Sequence, residues 1–222
     1  MLPLDEVFSA TGALARAVPS FRPRAQQLEM ARAVAGAISD HAVLVAEAGT
    51  GTGKTFAYLA PALMSGAKVI VSTGTKTLQD QLYQRDLPTV RAALGVPVSI
   101  ALLKGRANYV CQHHLERALE SGRLASREDA AQLREIARFA QVTQSGDKAE
   151  CEVPEHSPVW ALATSTRENC LGSDCPQFKS CFVMAARREA LAADLVVVNH
   201  HLFFADVMLR DEGMGELLPS CN

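Results

Sequence analysis

The run Ala46-Glu47-Ala48-Gly49-Thr50-Gly51-Thr52-Gly53-Lys54-Thr55 constrains the fold more than any other part of the chain. It follows the short apolar stretch Ala42 to Ala46 and opens a helical pattern, so it reads as strand, glycine-rich loop and helix. The glycines let the backbone turn until successive N–H groups face one anion. The helix beyond adds unpaired N–H groups and the positive end of its dipole. Lys54 is placed to reach β- and γ-phosphates, and the Thr55 hydroxyl to ligand Mg²⁺. Ala48, Gly49, Thr50, Gly51, Thr52, Gly53, Lys54 and Thr55 are therefore the expected nucleotide-binding loop, with Lys54 and Thr55 as its catalytic members. The motif has glycine five residues before Gly53; Ala48 stands there and is small enough to serve. A glycine-rich turn with no ligand is the plain alternative, and the flanking strand and helix argue against it.

The neighbouring segments extend the same architecture. Leu28, Ala31, Ala35 and Ile38 recur at helical spacing and predict a helix from about Arg24 to Ile38. Val43 to Ala46 is expected to be a short buried strand. Lys54 to Met64 is the helix leaving the loop, Lys68 to Thr73 a second strand, and Val98 to Leu103 a third. Between the last two, Thr77 to Leu94 reads as a helix that Pro88 kinks and Gly95 ends. This alternation predicts an α/β fold, a parallel sheet flanked by helices on both faces. From Lys104 to about Ala193 it stops. Ser126 opens a helix with Glu128 and Asp129 in its first turn and Leu133, Ile136, Ala137 and Ala140 on one face. Residues 144–148 read as a loop, and prolines and four cysteines follow. Asp194 to Asn199 is again a buried parallel strand. Residues 104–193 are thus expected to be an insertion in a domain made of 1–103 and 194–222.

Composition bounds the partners. The net charge of −2 over 222 residues gives no global field for nucleic acid, so any such binding must be local. No run approaches the roughly 18 apolar residues of a membrane span. Met1 to Glu6 lacks the basic start of a signal peptide. The protein is expected to be cytoplasmic, without membrane contact, where thiols stay reduced. Its six cysteines then read as metal or cluster ligands before they read as disulfides. Cys170, Cys175 and Cys181 are separated by four and five residues, Cys111 lies far upstream, and Cys151 and Cys221 stand apart. Zinc knuckles are usually tighter, whereas wide spacing suits a 4Fe–4S cluster whose irons each take one thiolate. Spacing alone leaves a cluster, a zinc site and unliganded thiols all open. A cluster would also staple a segment poor in apolar residues. Phe182 and Met184 are expected simply to pack. His200 and His201 read as a polar strand end, and His113 and His114 as an exposed helix face.

Several motifs in order carry a family resemblance: Ala48 to Thr55, Ser72-Thr73-Gly74-Thr75-Lys76-Thr77-Leu78-Gln79-Asp80-Gln81-Leu82, Lys104-Gly105-Arg106-Ala107-Asn108-Tyr109-Val110-Cys111, three further cysteines, and Val197-Val198-Asn199-His200-His201-Leu202-Phe203-Phe204. Over nearly the whole chain this resembles the XPD-like iron–sulfur DNA helicases of superfamily 2, most closely the bacterial DinG/YoaA branch. The resemblance implies a RecA-like P-loop sheet interrupted by a mostly helical iron–sulfur insertion. It implies ATP, Mg²⁺ and a 4Fe–4S cluster as cofactors. Arg24 and Gln27 fall in its adenine-sensing segment. Thr73, Thr75, Lys76 and Gln79 match its DNA-phosphate segment, and Lys104 and Arg106 are the insertion cations expected to line the strand path. Cys111, Cys170, Cys175 and Cys181 match the cluster ligands, with Cys151 as a possible exchange for Cys111 or Cys170. The implied activity is ATP-dependent unwinding in the 5′ to 3′ direction on single-stranded or forked DNA, with replication or repair proteins as partners.

The family's Asp-Glu-Ala-His box is not found in these residues. Asp211-Glu212 lies where a loop is expected after Asn199, and Asp206 and Arg210 break any apolar strand before it. The chain is therefore expected to be an N-terminal piece supplying one wall of an ATP site. Such a piece would bind nucleotide weakly, turn it over little and unwind nothing. Two other readings stay open. One is a P-loop ATPase with a zinc-binding, partner-recruiting insertion and no translocation. The other is a regulatory DNA- or partner-binding module that uses nucleotide only as a ligand.

Overall fold

The structure, a computed structural model, describes residues 3–213 and 217–221. Met1 and Leu2 of the N-terminal reading, Met214 beside the Asp-Glu pair, and Asn222 lie outside them. The chain divides into two compact units, residues 1–102 with 190–222, and residues 103–189.

In the first unit α1 (Leu4–Val7), α2 (Ala13–Ala17) and α3 (Ala25–Ser39) precede the glycine-rich loop. Then come α4 (Lys54–Met64), β1 (Val69–Thr73), α5 (Lys76–Gln81), α6 (Leu87–Leu94) and β2 (Ile100–Leu102). A π-helical turn, Leu82–Asp86, joins α5 to α6. The wide turn shifts the hydrogen-bond ladder just before Pro88, which has no N–H to give. Gly95 ends α6 in the left-handed conformation, φ +64°.

The second unit contains α7 (Gln112–Ser121), α8 (Arg127–Val142), α9 (Trp160–Ala163) and the start of α10 (Phe182–Ala192). Ser126 caps α8 by accepting from the Asp129 N–H at 3.0 Å. The chain then returns to the first unit as β3 (Leu195–Asn199) and α11 (His200–Asp211).

The sheet is parallel, in the order β1-β3-β2. Leu195 pairs with both Val69 and Ile100. The central strand reads Leu-Val-Val-Val because neighbours cover both its edges and packing covers its faces; Leu195 to Val198 are all buried. At its start Asp194 accepts from the Ser99 N–H at 2.8 Å and hydroxyl at 2.6 Å, while the Ser99 hydroxyl accepts from the Asp194 N–H at 3.0 Å. This reciprocal pair sets β2 against β3. The first unit's core gathers Val7, Leu14, Leu59, Leu63, Leu82, Leu87 and Val90 around Leu195 and Val197. The result is the small, helix-flanked parallel sheet of a RecA-like domain.

Three expectations are corrected here. Val43 to Ala46 is not a strand, and Val43 and Val45 are each 93% exposed. A strand needs ladder partners, and β1, β2 and β3 pair only with one another among the described residues. The segment after Asn199 is a helix, not a loop. The Asn199 side chain accepts from the Leu202 N–H at 2.8 Å and starts α11, while Asp206 and Arg210 form an i, i+4 pair on it. The second unit, finally, is not poor in core. Tyr109, Leu115, Leu133, Ile136, Val159, Trp160 and Phe182 form a buried cluster. Leu133 and Ile136 were legible as one helix face, but the residues they meet lie far apart in sequence, so no local run announced the cluster.

Candidate functional site

The glycine-rich loop is set by its own φ angles and by α3. Gly51 and Gly53 take φ +78° and +82°, a region side-chain-bearing residues rarely adopt. Gln27, buried on α3, donates from Nε2 to the Gly53 carbonyl at 2.9 Å. A Cβ on residue 53 would lie 2.1 Å from that nitrogen. Arg24 donates to the Gly51 carbonyl. Lys54 reaches back across the loop, its ammonium donating to the carbonyls of Ala48 at 2.7 Å and Gly49 at 2.8 Å. Thr52 donates to Gly49 O at 2.9 Å. Burial pushes the Tyr58 phenol above its usual range, with neighbouring Thr55 acting in the opposite sense. The expected loop residues are thus brought together with Gln27 of α3 and Arg24, the residue before it. Arg24 and Gln27 hold loop carbonyls, a role sequence reading had not assigned them.

The residues expected to touch DNA are divided. Thr75 and Lys76 are exposed beyond the end of β1, and the Thr75 hydroxyl caps α5 by accepting from the Leu78 N–H at 3.2 Å. Thr73 is buried, its hydroxyl donating to Thr75 O at 3.1 Å. Gln79 is 0% exposed, with Nε2 3.4 Å from the Val197 carbonyl. Helical periodicity turns Gln79 inward, against the central strand, so Thr73 and Gln79 shape this segment without presenting a side chain to a ligand. Lys104 is corrected too. Its ammonium is buried and paired with Asp147 Oδ2 at 2.6 Å. A buried cation requires such a partner. His200, read as a polar strand end, has its Nδ1 2.7 Å from the Ser72 hydroxyl and so ties the start of α11 to β1.

In the second unit Cys111, Cys170, Cys175 and Cys181 line one cavity of about 110 Å³. Distinct local structures deliver them. Cys111 is the residue before α7. Cys170 and Cys175 flank a short 3₁₀ turn, Gly172–Asp174, and Cys181 immediately precedes α10. Burial pushes the Cys111 thiol up, and the nearness of Cys175 and Cys181 adds to it. Cys151 packs instead against the second hydrophobic cluster, so geometry does not favour its exchange for a ligand. Among the described residues no three His, Cys, Asp or Glu side chains converge on a point where a single ion would sit.

Other residues share this wall. His113 and His114 are half-buried cavity residues, not an exposed face. Arg106, expected along a strand path, also lines the cavity, as does Met184. Arg187 joins them and was missed. The available signal was its helical offset from Val183 and Met184, which face the same way. Burial and the adjacent Arg106 push the Arg187 guanidinium down, with Cys170 and Cys181 acting in the opposite sense.

Comparison with known proteins adds the following. Residues 25–118 match the DEAD/DEAH box helicase family. The chain is 54% identical over 220 residues to the ATP-dependent DNA helicase YoaA of Haemophilus influenzae, covering 99% of this chain and 34% of that protein. It is 53% identical over 223 residues to the ATP-dependent DNA helicase YoaA of Escherichia coli, with 99% and 35% covered. It is 36% identical over 217 residues to the ATP-dependent helicase DinG of Mycobacterium tuberculosis, with 88% and 32% covered. The chain spans about a third of the length of these relatives.

Proposed function

We propose that the chain belongs to the DinG/YoaA-type DEAD/DEAH box helicases, to which it is similar, and that the whole protein is an ATP-dependent DNA helicase that moves 5′ to 3′ along single strands. The carrying observation is the loop: Lys54 lies across its mouth while Gln27 and Arg24 hold its carbonyls. When Mg-ATP binds, the Lys54 ammonium exchanges the Ala48 and Gly49 carbonyls for phosphate oxygens. The loop N–H groups and the start of α4 complete the cradle. Thr55 would hold Mg²⁺ through its hydroxyl. Gln27 and Arg24 couple adenine recognition on α3 to loop shape. Thr75 and Lys76 are the exposed backbone contacts for a single strand, which suits binding without base reading. Forked DNA, replication or repair partners and a cytoplasmic location belong to this reading. Among the described residues no helix is long and apolar enough to cross a membrane.

The cysteine cavity fits a 4Fe–4S cluster. Its four thiols line one volume, which supports the cluster reading, since each of the four irons takes one thiolate. Cys111, Cys170, Cys175 and Cys181 would hold the cluster, which when bound cross-links segments distant in sequence and supplies a one-electron redox centre.

The test for the helicase is unwinding of a duplex carrying a 5′ single-stranded tail against one carrying a 3′ tail, with the whole protein and Lys54→Ala. Unwinding from the 5′ tail alone, abolished by the substitution, is expected; a preference for the 3′ tail or an active variant refutes the proposal. For the cavity, iron, sulfide and zinc are assayed in protein purified without oxygen. Iron and sulfide lost in Cys175→Ser are expected, whereas colourless protein with stoichiometric zinc favours a partner-recruiting zinc module.

A further inference from the structure

We infer that Arg187 is the half-buried counter-charge of the cysteine cavity and raises the reduction potential of the cluster held there. This rests on the cluster reading above. The geometry begins with α10. Val183, Met184 and Arg187 lie on one helical face and all line the cavity, while Arg188 and Glu189 on the same helix are exposed. Arg187 is half-buried, and among the described residues no carboxylate pairs with it. Nor does any Asp or Glu line the cavity, although Arg106 does.

Two guanidiniums facing one enclosed space repel each other. In a partly desolvated wall that arrangement is costly unless an anion lies between them. The acidic groups the wall does offer are the four cysteine thiols. Once deprotonated on iron they make the site negative. A fixed positive charge then lowers the energy of the state with one more electron. Arg187 thus has a task no other residue of α10 shares, and one that Lys would partly perform and Gln would not.

The experiment uses protein purified without oxygen as wild type, Arg187→Gln and Arg187→Lys. Iron and sulfide per chain are measured first. The cluster is then titrated with dithionite as the electron donor in the presence of mediators, and its visible absorbance is followed. Arg187→Gln is expected to shift the midpoint to a more negative potential, with Arg187→Lys staying closer to wild type. Loss of iron in Arg187→Gln but not in Arg187→Lys also supports the inference, since it shows that charge is required. A wild-type midpoint in fully loaded Arg187→Gln overturns it while leaving the cluster reading intact. Equal iron loss in both variants overturns it in favour of packing. Iron-free wild-type protein defeats the cluster reading itself.

Discussion

Gly53 meets two demands at one position, a φ of +82° and the Gln27 amide where a side chain would begin. Gly53→Ala is expected to lose about 1–2 kcal/mol of stability through backbone strain alone. It also displaces Gln27, so Mg-ATP binding falls with it; thermal unfolding and equilibrium dialysis check the two effects separately. Lys54→Ala keeps the fold and removes a charge-assisted contact. Nucleotide binding should weaken by about 2 kcal/mol, roughly thirtyfold in Kd. Lys104 makes the opposite case. Removing one partner from its buried pair with Asp147 should destabilise the second unit by about 3–5 kcal/mol. If Lys104 instead touched DNA, Lys104→Ala would leave stability alone and lower the salt dependence of single-strand binding by about one ion. Denaturant titration and a salt series decide between the two. The loop residues were legible because glycine, lysine and threonine at fixed offsets leave few other uses. The burial of Gln79 and Lys104 was not, because polar residues enter a core only when a distant partner is waiting.

At the level of elements the helices expected after Arg24, Gly53 and Ser126 form where caps and breakers act locally, whereas α11 stands where a loop was expected. Ser126 begins α8, Gly95 ends α6, and Pro88 is accommodated by the wide turn before it. Strands depended on partners: the apolar Val69–Thr73 and Leu195–Asn199 found each other, whereas Val43 to Ala46 pairs with neither. The Asp194–Ser99 link between β2 and β3 gives a pH test. The two Ser99 hydrogen bonds hold the Asp194 carboxyl below its usual range. Its contribution is therefore complete above the unfolded carboxyl range, near pH 4, and is lost as pH falls through the lower folded value. Because the site is exposed, Asp194→Asn should cost less than about 1 kcal/mol at neutral pH. The gap from wild type in urea unfolding should close toward pH 3; a constant gap would show that the carboxylate charge is not involved.

Across the whole molecule, each unit carries its own hydrophobic cluster. Gly146 probes the second. Its φ is +66°, and a Cβ there would sit 2.2 Å from the Phe182 ring. Gly146→Ala should destabilise residues 103–189 by about 1–3 kcal/mol through overpacking and strain. Amide exchange in β1 and β3 and Mg-ATP affinity should stay at wild-type levels, because those features belong to the first unit. Hydrogen exchange followed unit by unit would reveal a common slowing or loosening if the two were one cooperative body.

Local chemistry was enough to read the glycine-rich loop, several helices and two strong strands directly from the chain, because each depends on residues a few positions apart. Which polar side chains are buried, which arginines face the thiols and whether an apolar run becomes a strand were decided only in three dimensions. Those outcomes turn on partners brought from far along the chain, as Val197 is to Gln79, Asp147 to Lys104 and Cys170 to Arg187.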